Sequence, residues 1–187
     1  MTNLNPEAIG QAIAEEGIYD SAGYLSTPAY ELVTDAVPIV CVDVIPVDIT
    51  QSGLVRIGII TRATGPEKDK PAIVGGRIQK NETISTAVGR HLYDSFQDRH
   101  FVFHEGNSED RPFYLAQFEH APVSARHFDP TKHAITLTYL IDIPEPQIAQ
   151  NEALDFRWIE LDEIPTESAY NHHLTMQRAA DFLQKQD

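Results

Sequence analysis

The feature that most constrains this chain is a pair of adjacent glycines, Gly75 and Gly76, which ends an apolar run and leads into a helical pattern. Glu82 follows Gly76 after a gap of five residues, and Arg90 follows Glu82 after a gap of seven. Ile84, Val88, Leu92 and Phe96 recur every four residues through this stretch, with Ala87 beside them. That period predicts an amphipathic helix over about residues 83–97, packed on a core through this stripe. Gly89 lies inside it, where glycine costs about 1 kcal/mol relative to alanine.

The flanks supply strands. Residues 39–49 are rich in Val and Ile and too apolar on both faces for a solvent-edge strand. Gln51-Ser52-Gly53 reads as a turn and residues 54–61 as a second strand, so the two form a hairpin or meander. Residues 65–70 are a charged loop, and residues 71–78 form a short strand running into the glycines. After the central helix, strands are predicted over 101–103, 113–118, 135–143 and 155–159, with a polar loop over 105–110 and a long mixed loop over 121–133. A closing helix is predicted over 174–184. Two short helices come first. One is capped by Asn5 with Pro6 in its first turn and stops at Gly17; the other starts at Thr27-Pro28 and runs to about Val33. This order gives an α+β sandwich, divided as a helical extension over 1–36 and a main domain over 37–187.

Charge narrows the partners. The 187 residues hold 14 Lys and Arg against 28 Asp and Glu, a formal charge of −14. Without a basic patch, such a chain repels nucleic acid, so none is expected as a partner. An anionic small molecule stays open, because a divalent cation can invert a local field. Cys41 is the only cysteine, so no internal disulfide can form. No signal-peptide pattern opens the chain and no apolar run suggests a membrane span, so a cytoplasmic protein with no membrane partner is expected.

Some residues point to chemistry by type alone. Asp43 is a carboxylate in an otherwise apolar strand, and burying it requires a partner or a cavity. His91 and Ser95 fall inside the apolar arc of the central helix and Asp94 at its edge. His91 reads first as a partly buried histidine hydrogen-bonded to a neighbour, and second as a substrate or metal contact. Glu82 suits the positive end of a helix. The pairs His100/His104 and His172/His173 do not make a zinc set.

The segment Gly75-Gly76-Arg77-Ile78-Gln79-Lys80-Asn81-Glu82, with Arg90 beyond it, resembles the signature of the Nudix superfamily in its first half. The second half departs from it: His91, Asp94, Ser95 and Gln97 stand where the family carries its glutamate cluster and late glycine. The resemblance implies a mixed sheet between helices, an α/β/α sandwich. Within the superfamily, residues 37–43, 75–83 and 155–158 with Asn171-His172-His173 resemble the GDP-mannose mannosyl hydrolases. That likeness implies Asp43 as a sugar contact and Arg62 and Arg77 as diphosphate contacts. It makes the Gly75 carbonyl a ligand for Mg2+ or Mn2+, and gives Gly76, Glu82 and Arg90 structural roles, with Arg90 and Glu82 bracing the loop. Two departures follow: the helix metal ligand falls at Ser95 and the catalytic histidine at Ala153. Asp94 and Glu152 are the carboxylates placed to compensate, and His91 is the candidate base by pKa class.

Two readings therefore stand. One is a divergent Nudix-like hydrolase acting weakly on a nucleoside diphosphate derivative, such as a nucleotide sugar, with a loosely held Mg2+ or Mn2+. The other is a non-catalytic Nudix-fold module that binds a nucleotide or sugar-nucleotide as a sensor. A ligand-free dimerisation domain is a third, and a homodimer is compatible with any of them.

Overall fold

The computed structural model describes residues 5–19, 25–49, 55–96, 113–122, 127, 129–143 and 151–185. Helix α1 (Pro6–Glu16) is capped as expected, with the Asn5 side chain accepting from the Glu7 N–H at 3.1 Å, and ends at Gly17 with φ 83°. Helix α2 (Thr27–Ala36) starts differently. Its N-cap is Ser26, not Thr27, and the Ser26 hydroxyl donates to the Gly17 carbonyl at 2.7 Å instead of capping its own helix. That bond ties α2 to the end of α1.

Strands β1 (Ile39–Ile49), β2 (Val55–Arg62), β3 (Pro71–Ala72) and β4 (Val74–Arg77) precede helix α3 (Ile84–Phe96). Strands β5 (Phe113–His120), β6 (Ala134–Asp142) and β7 (Ala153–Glu160) follow. A 3-10 turn over Ala169–Asn171 then leads into helix α4 (His172–Leu183). Among the described residues, these seven strands join one mixed sheet, in which β1 and β6 run parallel and the other pairs antiparallel. The path is β3-β2-β1-β6-β5, with β4 on β1 and β7 on β2. The expected strands at 39–49, 54–61, 113–118, 135–143 and 155–159 all appear with small shifts at their ends. The expected turn at 51–53, strand at 101–103 and loop at 105–110 lie outside the described residues.

The expected single strand over 71–78 is two strands. β3 pairs with β2 and β4 with β1. Between them, Ile73 directs its N–H to Nδ1 of His172 at 3.3 Å. The chain thus changes strand partners at one residue. Along β1, β4 covers residues 41–44 and β2 covers 47–49, while β6 pairs with residues 39–47. This arrangement sets Gly75 directly opposite Asp43 and Arg77 opposite Cys41.

Burial on both faces of β1 has a simple cause. Val42 and Val44 pack with Val74, Val88, Leu92 and Phe96, so α3 covers one face. Ile45 and Val47 pack with Ile57, Ile59, Met176 and Ala179, so α4 covers the other. Sheet and helices form the expected α/β/α sandwich. The α3 stripe holds at Val88, Leu92 and Phe96, but Ile84 is 37% exposed. It opens the helix, and the buried face begins one turn later at Ala87. α4 begins at His172 and not at Leu174, and α2 reaches Ala36 and not Val33. Among the described residues, no helix is long and apolar enough to cross a membrane.

Gly58 in β2 tests this packing. A Cβ there would lie 2.6 Å from two carbons of the Phe156 ring and 2.8 Å from Pro46 Cβ. The Phe156 ring cannot yield easily, because it packs edge-on to Phe96 at 5.1 Å and to Trp158 at 5.2 Å. Gly58→Ala should cost about 1–3 kcal/mol in urea unfolding. An unchanged midpoint would show that the aromatic cluster is loose.

Candidate functional site

The paired glycines make room on both sides of one strand. A Cβ on Gly75 would stand 2.3 Å from Asp43 Oδ1 and 2.4 Å from the Val42 carbonyl. A Cβ on Gly76 would stand 2.5 Å from His91 Cε1. Successive strand residues face opposite ways, so the two absences admit Asp43 on one side and His91 on the other.

The loop after β4 is held by a fork. Arg90 Nε donates to Glu82 Oε1 at 2.8 Å, and Arg90 Nη2 donates to Glu82 Oε2 at 2.8 Å and to the Arg77 carbonyl at 3.0 Å. The Gln79 N–H also donates to Glu82 Oε2 at 2.8 Å. Burial would raise the Glu82 carboxyl, but the bonds from Arg90 and Gln79 outweigh it and hold the group below its ordinary value. His91 Nε2 donates to the Arg77 carbonyl at 3.2 Å. Its proton therefore sits on Nε2, and Nδ1 is buried without a hydrogen-bond partner. Burial, then the charge of Arg90, lowers its pKa, so the ring is neutral at pH 7.

These groups border a cavity of about 510 Å³. Asp43, Arg62, Gly75, Arg77, Asp94 and Glu152, drawn from separate stretches, all line it, together with Gly76, Arg90 and His91. Asp43 is 6% exposed. Burial pushes its carboxyl up to about 7, although Lys132 and Arg62 pull against it. Glu152 is exposed as a residue, yet burial still raises its carboxyl, with Arg62 opposing and Asp94 adding to the rise. The Arg62 guanidinium lies 5.1 Å from the Tyr170 ring centroid, with Nε buried and lacking a hydrogen-bond partner. Arg77 lies 4.3 Å over the ring of Tyr30 in α2.

Ser95 is the residue that stands apart. It is fully buried in α3, its hydroxyl has no hydrogen-bond partner, and it is not part of the cavity wall. A carboxylate at this position would have to be buried too. Of the expected metal ligands, Gly75, Asp94 and Glu152 line the cavity, where Asp43 and Asp129 are the other carboxylates. Among the described residues, no three His, Cys, Asp or Glu side chains come together to hold an ion. The residues present do not fit a tightly held metal.

Several wall residues had no signal of their own in the sequence. Tyr30, His120, Asp129, Lys132 and Tyr170 all line the cavity, as does His172, which the sequence marked only within the Asn171-His172-His173 stretch. Asp129 and Lys132 fall in the stretch read as a surface loop. The usable clue there was Asp129-Pro130-Thr131, a turn-forming sequence. Asp129 Oδ1 accepts from the Thr131 N–H at 2.7 Å and hydroxyl at 2.6 Å, while Oδ2 accepts from Lys132 Nζ at 3.1 Å. Burial would lower Lys132, but Asp129 outweighs it and keeps the ammonium charged.

A family model described as a domain of unknown function (DUF4916) matches residues 20–186. No curated protein matches the chain in sequence. Among solved structures, a possible asymmetric diadenosine tetraphosphate hydrolase from Jonesia denitrificans superposes with a TM-score of 0.66 at 21% identity, covering 81% of this chain and 98% of that one. The Nudix domain of Shewanella oneidensis NrtR, complexed with ADP ribose, gives 0.60 at 18% identity, covering 91% and 97%. A MutT/nudix family protein from Enterococcus faecalis gives 0.60 at 16% identity, covering 98% and 71%. The fold is the Nudix fold.

Asp43 carries a measurable signature. Its carboxyl titrates at about 7 when folded against an ordinary 3.8. Its contribution to stability is therefore intact below pH 4 and is lost as the pH rises through 7. Asp43→Asn should be more stable than wild type at pH 8, by up to roughly 4 kcal/mol, with the advantage gone at pH 4. Urea unfolding at both pH values checks this, and an equal effect at each would mean that the carboxylate is solvated.

Proposed function

The chain belongs to the DUF4916 family, and we propose that its pocket binds a nucleoside diphosphate derivative of the nucleotide-sugar class and hydrolyses it weakly. One observation carries this reading: Arg62 and Arg77 line one cavity, beside the Asp129-paired Lys132, in a chain with a formal charge of −14. Cations concentrated against so strong a background field suit a polyanionic ligand. The Arg62 guanidinium lies over the ring of Tyr170 and that of Arg77 over the ring of Tyr30, and a planar guanidinium fork suits phosphate oxygens. In this reading Asp43 contacts a sugar hydroxyl at the cavity floor.

The resemblance to the GDP-mannose mannosyl hydrolases supports the same ligand class and is the reason weak turnover is proposed. Their catalytic histidine corresponds to Ala153, which is buried here. His91, with Nδ1 uncommitted, and Glu152, with a raised carboxyl, are the remaining proton acceptors for an attacking water. Arg62 and Arg77 would neutralise the departing diphosphate. Asp94, beside Glu152, helps keep that carboxyl raised.

The thin metal donor set favours a second reading, a binding module without turnover. A Nudix domain that forms a complex with ADP ribose is among the structural neighbours.

Calorimetry and a product assay with GDP-mannose and ADP-ribose, each with and without magnesium, separate these readings. Binding is expected, with slow product release or none. Arg62→Ala and Arg77→Ala should each weaken binding about 10–100-fold, the loss of a charge-assisted contact. Rapid magnesium-dependent turnover would sink the weak-site reading. No binding of either ligand would overturn the pocket reading itself.

A further inference from the structure

We infer that His120 and His172 form a neutral hydrogen-bonding wall that recognises the hydroxyls of a glycosyl group attached to the diphosphate; the attachment rests on the pocket reading above. His120 ends β5, is 3% exposed and lines the cavity. Neither of its ring nitrogens has a hydrogen-bond partner. The Tyr170 backbone lies close enough to the ring to raise its proton affinity, at a geometry too poor to satisfy either nitrogen fully. A buried imidazole with both nitrogens unmatched is costly to keep unless a ligand supplies the missing partners.

His172 stands beside it, with ring centroids 6.0 Å apart and planes at 89°. Its Nδ1 accepts the Ile73 N–H, so its own proton sits on Nε2. Burial lowers the pKa of both rings, to about 4 for His120 and well below the ordinary value for His172. Both are therefore uncharged at neutral pH, and this wall offers an anion no positive charge. A hydroxyl is both donor and acceptor, which is what two neutral imidazoles can match.

The backbone beside the wall is held in an unusual shape. Tyr170 and Asn171, neither of them glycine, have φ of 50° and 58°. Consecutive left-handed residues are costly and tend to occur where a site requires them. Here they bring the Tyr170 ring within 5.1 Å of Arg62 and 5.7 Å of Lys132, and within 5.7 Å of the His172 ring. The ring thus lies between the cationic part of the cavity and the neutral part. A diphosphate at the arginines places its attached group against the histidines.

Two measurements on the full chain test this. In calorimetry, wild type should bind GDP-mannose about tenfold tighter than GDP, an increment of one or two hydrogen bonds. His120→Phe keeps the aromatic packing and removes both nitrogens; it should abolish that increment and leave GDP affinity within about twofold. His120→Gln, which can both donate and accept, should recover part of it. Equal losses for GDP and GDP-mannose would make His120 a phosphate contact and overturn the inference, as would no loss for either.

The second measurement needs no diphosphate. Side-chain nitrogen spectra of wild type, assigned against His120→Phe, should shift at His120 and His172 on titration with methyl α-D-mannoside or methyl α-D-glucoside. Such shifts in a protein that ignores GDP would remove the diphosphate reading and keep the wall. Unmoved rings in a protein that binds GDP would overturn the wall alone. Shifts produced by guanosine but by neither glycoside would assign the wall to a nucleobase and overturn the inference.

Discussion

Asp43 Oδ1 and His91 Cε1 occupy space that Cβ atoms at Gly75 and Gly76 would need. Neither glycine has a positive φ, so these positions require small size and not conformational freedom. A side chain at Gly75 would force the Asp43 carboxylate away from β4, and one at Gly76 would push α3 off the sheet at His91. The position of the loop after β4 then follows from the Glu82–Arg90 fork, which binds the Arg77 carbonyl and the Gln79 N–H into one hydrogen-bonded unit. Cavity shape, carboxylate burial and the direction of Arg77 all depend on those two absent side chains.

Electrostatics divides the cavity into parts with different work to do. Arg62 and Arg77 bring positive charge to a cavity of a chain that as a whole repels anions, whereas Lys132 is paired with Asp129. Asp43 lies between such cations and a dry wall, and burial dominates, so its proton leaves only near neutrality. At His120 burial outweighs the pull of Asp129, and at His172 nearby cations add to the effect of burial, so both rings remain neutral. The low dielectric that strengthens an arginine–phosphate contact is also what discharges these imidazoles. One enclosure can thus hold an anion at one end and an uncharged group at the other.

The four-residue stripe of α3 was enough to predict the helix, while the brace and the layer order came from the resemblance of the Gly76–Glu82–Arg90 segment to the Nudix signature. Repeating apolar residues describe which face of an element leaves water, and that is a local property. The same logic failed at two points. Ile84 belongs to the stripe by spacing but lies in the first turn, before the helix is covered. Residues 71–78 look like one strand because nothing in their sequence shows that the Ile73 N–H is taken by a histidine 99 positions away.

The sequence by itself determined the order of strands and helices, the glycine pair and a core set of cavity residues that includes Asp43, Arg62, Arg77, His91 and Glu152, because hydrophobic period and motif resemblance survive without coordinates. Only the tertiary structure decided that Ser95 is walled off from that cavity while Tyr30, Lys132, Tyr170, His120 and His172 enter it. It also decided which carboxylates hold protons and which histidines lose them. Those outcomes depend on how much water each group keeps once α2, β5, the 129–132 turn and the start of α4 have closed around it. No local pattern encodes that quantity, because it is set by side chains brought together from distant parts of the chain.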